Sequence, residues 1–169
     1  MYSVFTLDSN FLDPPYDYDF TKLKDDGTVF MRGGKAYKRP YGWNRIALNV
    51  ENKYGTTDWL GSHGYDGEWA VSYHGTTRES AEEIAKTHYD LSKAVRSAYG
   101  IGIYSSPDPA IAEAYATAFQ HQGKWYKVIL QNRVNMEGTR HIEMCNYLVT
   151  AEEKDIRPYA ILYKEVLAI

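Results

Sequence analysis

The chain has little cysteine, little net charge and no long apolar run. Its single cysteine, Cys145, excludes an internal disulfide and suits a reducing compartment. No apolar stretch approaches the roughly 18 residues that a membrane span needs, so no membrane partner is expected. Asp8, Asp13, Asp17 and Asp19 sit in the first twenty residues, which is unlike a secretory signal. Lysine and arginine number 19 against 22 aspartates and glutamates, a net charge of −3. Bulk polyanion binding is therefore not expected, and nucleic acid is not the first partner to consider. Paired-cysteine, HExxH and GKT/GKS motifs are missing, so structural zinc, zincin and P-loop readings lack their residues and no metal is expected. Leu, Ile, Val and Phe together make 34 of 169 residues, at the edge of what a disordered chain shows.

Aromatic residues make up the shortfall. Sixteen Tyr, five Phe and four Trp amount to 15% of the chain, and Tyr outnumbers Phe threefold. Such amphipathic rings suit flat ligands and wet interfaces as well as burial. The length fits one domain over residues 1–169, with residues 1–30 as an extended arm carrying Pro14, Pro15 and six Asp. Residues 31–49 hold Arg32, Lys35, Lys38, Arg39 and Arg45 with no acid, either a solvated stripe or a patch facing phosphates.

Periodicity gives strands interspersed with two short helices. Ile46, Leu48 and Val50 alternate as in a half-buried strand, and Trp69 to Tyr73 reads as a short one. Thr76 with Glu79 forms a capping box before a helix carrying Ala81, Ile84 and Ala85. Ile103 to Ser105 is a short strand. Asp108 and Pro109 then start a helix expected to run through Ile111, Tyr115, Ala118 and Phe119. Trp125 to Leu130, Ile142 to Val149 and Ala160 to Val166 complete the strands. The βαβ alternation of a doubly wound sheet is missing, so the expected class is α+β.

Three pieces stand out: Tyr73-His74-Gly75-Thr76 at a strand end before a helix; Gly100-Ile101-Gly102-Ile103-Tyr104-Ser105-Ser106, with Tyr115 eleven residues after Tyr104; and Cys145-Asn146-Tyr147-Leu148-Val149 on a late strand. Taken singly, each has an ordinary explanation as core packing or strand-end glycine. Together, over roughly residues 69–166, they resemble the catalytic domain of the poly(ADP-ribose) polymerase and diphtheria-toxin class of ADP-ribosyltransferases. The resemblance implies a split antiparallel β-sheet sandwich with short helices. It also implies NAD as substrate, with release of nicotinamide. His74 would hold the adenosine ribose hydroxyl. The backbone of Gly75 would pair with the nicotinamide carboxamide, and Tyr104 and Tyr115 would stack on its ring. Thr76 and Ser105 would border the dinucleotide. Pro40 to Leu48 resembles a compact group of transferases, one of which modifies ubiquitin; on that likeness Arg45 or Arg78 would contact the pyrophosphate.

Two positions depart from the family pattern. Asn146 aligns where the family places its catalytic Glu, and Glu143, three residues earlier, would point to the opposite face of an extended strand. Either Glu143 substitutes, or Asn146 supports weaker transfer, or the site binds NAD without turnover. Ala112 stands where many members place a Ser that contacts the nicotinamide amide, a loss of about 0.5–1.5 kcal/mol. Lack of the Glu argues against chain elongation, and the chain length leaves no room for the regulatory helical domain of the larger polymerases. The expected activity is therefore mono-ADP-ribosylation of a protein acceptor, ubiquitin or another cellular protein. It would take place in the cytoplasm or, for a secreted effector, in a reducing host cytosol. The alternatives are an NAD- or ADP-ribose-binding module and a nucleic-acid-modifying transferase on the same fold. A Cys145/His141 hydrolase is poorly supported, because the two stand four apart on one expected strand.

Overall fold

A computed structural model describes residues 4–94 and 97–167. Eleven strands and two α-helices follow in chain order: β1 (Tyr18–Asp19), β2 (Phe30–Arg32), β3 (Lys35–Tyr37), β4 (Asn44–Ala47), β5 (Ala70–Gly75), α1 (Arg78–Lys86), β6 (Ile103–Ser105), α2 (Pro109–Glu113), β7 (Phe119–His121), β8 (Lys124–Val134), β9 (Thr139–Ile142), β10 (Tyr147–Thr150) and β11 (Ile156–Val166). The class is α+β, mostly antiparallel sheet. Among the described residues no helix is long and apolar enough to cross a membrane.

The large sheet runs β1-β4-β11-β8-β5, with β7 also on β8. β8 and β11 form its spine, paired from Trp125↔Val166 to Val134↔Ile156, with a register shift between Pro158 and Ala160. Both strands are buried on both faces, so their apolar residues run together and do not simply alternate. Val128, Leu130, Val134 and Ile161 join one core cluster, while Ile129 and Leu162 join the other. β6, β10 and β9 make a separate three-stranded sheet, and β2 and β3 form a hairpin. Tyr73 of β5 and Ser106, just past β6, exchange backbone hydrogen bonds of 2.8 and 2.9 Å. The two sheets touch at that bridge.

β8 also buries Gln131, Asn132 and Arg133. Buried polar groups need partners. The Arg133 guanidinium has no carboxylate; it donates to the carbonyls of Trp59, Leu60, Gly61 and Trp69 at 2.8–3.3 Å, knotting the loop before β5. Asn132 accepts from the Tyr89 hydroxyl at 2.7 Å.

Several expectations are corrected. The arm is more than a covering. Leu12 bridges Leu48, β1 joins the sheet edge, and Val4, Phe5 and Phe20 are buried; its first three residues lie outside the described ones. Thr77, not Thr76, caps α1, accepting from Ser80 N, because Thr76 still continues the extended chain from β5. Asp108 caps α2 as expected, accepting from Ala110 N at 2.9 Å. That helix stops at Glu113, however, and Phe119 lies in β7. The apolar spacing that suggested a longer helix spans two elements: Ala112 of α2 belongs to one core cluster and Phe119 of β7 packs against the other. Residues 142–149 are not one strand either. β9 and β10 form a hairpin in which Ile142 faces Tyr147 across the turn 143–146.

Candidate functional site

His74 is the penultimate residue of β5, where the two sheets diverge. Its Nδ1 lies 2.6 Å from the carbonyl oxygen of Tyr104, so Nδ1 carries the proton and donates. Burial lowers the His74 pKa below the usual histidine range, while the bond to Tyr104 opposes that shift. The neutral ring leaves Nε2 as a hydrogen-bond acceptor. The Tyr89 ring packs edge-on against it, 5.3 Å between centroids.

Gly75 follows. Tyr73 bonds in both directions to Ser106, so strand alternation aims the N–H and C=O of Gly75 away from β8 and toward the same split. Its lack of a side chain has a packing cause, since a Cβ there would lie 1.8 Å from Ala112 O. α2 is held over this glycine partly by Glu113, which meets Lys164 at 2.5 Å and Lys127 at 3.9 Å. Gly102 is similarly required: a Cβ would lie 2.7 Å from Val149 Cγ1.

Tyr104 is opposite Val149 in the β6–β10 register, so the two share a face, and Tyr147, two residues from Val149, shares it as well. The Tyr104 hydroxyl donates to Gly100 O at 2.7 Å and accepts from Ser97 Oγ. Tyr147 meets the rings of Tyr99, Tyr104 and Tyr115 edge-on, at centroid distances of 6.2, 6.2 and 6.1 Å. Its hydroxyl contacts that of Tyr115, and this contact is the first cause pushing the Tyr147 pKa up to about 12. Tyr115, beyond the end of α2, is 58% exposed. Tyr104 and Tyr115 do not stack on each other; the edge of Tyr147 reaches both.

The remaining expected residues lie elsewhere. Ser105 points to the face opposite Tyr104, and its buried Oγ has no hydrogen-bond partner. Asn146 is not on the strand. It occupies the turn with φ +56°, a left-handed conformation that asparagine tolerates better than most residues. Its Oδ1 accepts from His141 Nε2 at 2.7 Å and its carbonyl accepts from Ser106 Oγ at 2.8 Å. His141 is opposite Leu148 in register, so the Asn146 amide lies on the face away from Tyr104. There it helps line a cavity of about 250 Å³ with His141, Leu148, Met136 and Lys35. Glu143 is exposed at the start of the turn. Cys145 Sγ turns to Ile142 O at 3.8 Å, so it makes no pair with His141.

Arg45 lies on β4, separated from β5 by β11 and β8, so it is about 14 Å away at a strand spacing of roughly 4.8 Å. It donates to Tyr16 O at 3.2 Å and lies over Phe20, tying down the arm. It borders a second cavity, of about 280 Å³, with Asp17 and Asp19. Arg78 stays near His74 at the start of α1, stacked 4.6 Å from the Phe119 ring centroid and 3.5 Å from Glu79. Thr76 O accepts from Thr117 N at 3.4 Å. The motif pattern assigns no role to Tyr147 or Tyr99; only the strand pairing shows that Tyr147 shares a face with Tyr104. Among the described residues no cluster of three or more His, Cys, Asp or Glu is arranged to hold a metal.

No protein-family model matches the chain, and no curated protein matches its sequence.

Proposed function

We propose that the chain is an NAD-dependent mono-ADP-ribosyltransferase with the split-sheet fold of that superfamily, acting on a protein acceptor. The observation that carries this reading is the 2.6 Å bond from His74 to the Tyr104 carbonyl. It joins two motifs 30 residues apart, and it leaves Nε2 of a neutral imidazole free to accept a ribose O–H at the mouth of the split. The Gly75 N–H and C=O, aimed the same way, offer the donor–acceptor pair that a carboxamide matches. Tyr104 and Tyr115 supply ring surface nearby.

In this reading the bond between the ribose anomeric carbon and the nicotinamide nitrogen breaks. Both electrons leave on the ring, which departs as neutral nicotinamide. The oxocarbenium-like carbon is taken by an acceptor nucleophile whose proton passes to solvent. Incubation with labelled NAD and a cell lysate should label discrete protein bands, and His74→Ala should abolish the labelling. Absence of both labelling and nicotinamide release from a folded chain sinks the enzyme reading.

A second reading, an NAD-binding module with little turnover, is favoured by one observation: the position expected for the catalytic Glu holds Asn146, whose uncharged amide is bound by His141 on the face away from Tyr104. A charge that develops in the transition state then lacks its strongest stabiliser. Calorimetric binding of NAD without release of nicotinamide would select it.

A further inference from the structure

We infer that Tyr147 is a further functional side chain of this site, its phenol facing the nicotinamide-side ribose where the sequence pattern pointed to Asn146 or Glu143. The inference rests on the NAD reading and deepens it. The register fixes the face: Tyr104 is opposite Val149, and Tyr147 stands two residues from Val149. The rings of Tyr104 and Tyr115 both stand edge-on to Tyr147, with centroids within 6.2 Å of its own, so a planar group resting on either ring borders Tyr147.

Asn146 is fixed elsewhere by three independent constraints: a left-handed backbone, the bond from His141 to its amide oxygen, and the bond from Ser106 to its carbonyl. Turning the amide toward Tyr104 would break the His141 bond and carry the side chain around the end of the sheet. Glu143 directly follows β9, at the start of the turn, and is open to solvent.

A phenol here does a different job from a carboxylate. Its O–H can donate to one ribose oxygen and its lone pairs accept from a hydroxyl, so it positions the sugar. With its pKa raised it stays neutral at physiological pH and contributes no charge to the oxocarbenium-like state. NAD binding should therefore depend on the hydroxyl, while bond cleavage stays slow for want of charge.

The test uses the full chain, NAD titration by calorimetry and nicotinamide release by chromatography. Tyr147→Phe keeps the ring and removes only the hydroxyl. It should weaken NAD binding about tenfold, the loss of one hydrogen bond, with an unchanged melting profile. Tyr147→Glu should raise the rate of nicotinamide release about tenfold or more by placing charge beside the reacting carbon. Asn146→Gly, which keeps the turn conformation, and Glu143→Gln should leave affinity within about twofold, as they touch nothing on that face. If Tyr147→Phe binds like the parent, or if Asn146→Gly or Glu143→Gln loses binding, the assignment to Tyr147 is overturned while the NAD reading stands. A folded parent chain that binds no NAD overturns both.

Discussion

On one face of the β6–β10–β9 sheet, Ile103 and Leu148 are buried in the main core, Thr139 and Thr150 share a hydrogen bond of 2.9 Å, and His141 holds Asn146. On the other face, Tyr104 and Tyr147 present half-exposed rings beside Tyr99 and Tyr115. Residues adjacent in sequence are thereby assigned opposite tasks. Tyr104 faces the split and Ser105 the interior; Tyr147 faces the split, while Leu148 and the Asn146 amide do not. A motif aligned one residue out of step lands on the wrong side of a sheet.

The largest expected effect tests whether Leu148 carries stability and the aromatic residue beside it does not. Leu148→Ala removes a side chain that is 2% exposed and should cost about 2–5 kcal/mol. Tyr147→Phe, its neighbour in sequence, should cost no more than about 1 kcal/mol. Urea denaturation of both variants reads the contrast directly, and equal costs would mean that the two faces do not divide the work as described.

Gly75→Ala comes next. The added methyl collides with Ala112 O at a position where Glu113 restrains α2 through two lysines. Overpacking of this kind should cost about 1–3 kcal/mol. If the glycine mattered only as an approach for a ligand backbone contact, the variant would keep full stability in the absence of NAD.

Much of the α+β architecture was legible because its signals are local. Asp108-Pro109 marks a helix start by side-chain and ring chemistry alone, and the Trp125–Leu130 run marks the spine strand. What was illegible depends on partners distant in sequence. The length of β8 rests on burial of Gln131, Asn132 and Arg133, which read as polar until the Tyr37, Tyr73 and Tyr89 hydroxyls and the carbonyls of Trp59, Leu60, Gly61 and Trp69 are brought to them. The hairpin at 143–146 turns on one asparagine in a left-handed conformation, and asparagine is not specific to turns. Of the candidate site, the motif spacing singled out His74 and Tyr104 but not the bond between them, which joins a ring nitrogen to a backbone carbonyl across two strands. The position of Tyr147 was not legible either, because only pairing between strands decides which residues share a face.

Asn146 gives a smaller effect with a built-in control. In a left-handed conformation an alanine is strained by about 1–2 kcal/mol and a glycine is not. Asn146→Ala should therefore be less stable than Asn146→Gly, although both lose the bond to His141. Thermal melting of the pair checks this. Equal midpoints would indicate that the side-chain bond, and not the backbone, selects asparagine, which would reopen its assignment to the turn.

The smallest effect lies on the pH axis and tests whether His74 is neutral. Burial lowers its pKa, so between the folded value and the unfolded value near 6.5 the unfolded chain binds more protons. Stability should be fully present above about pH 6.5 and fall as the pH drops through that window. His88 is lowered too, again by burial first, and contributes in the same direction. Melting temperatures from pH 7 to 5.5 avoid most carboxylate titration. His74→Asn removes the titrating ring while its amide N–H can still donate to Tyr104 O, so its melting temperature should fall less steeply over this range, the residual slope belonging to His88. A steeper fall in the variant would mean that His74 gains protons on folding and is already protonated in the fold. Its Nε2 would then be a donor, unable to accept a ribose hydroxyl, and the split face would lose the acceptor on which the proposed NAD recognition depends.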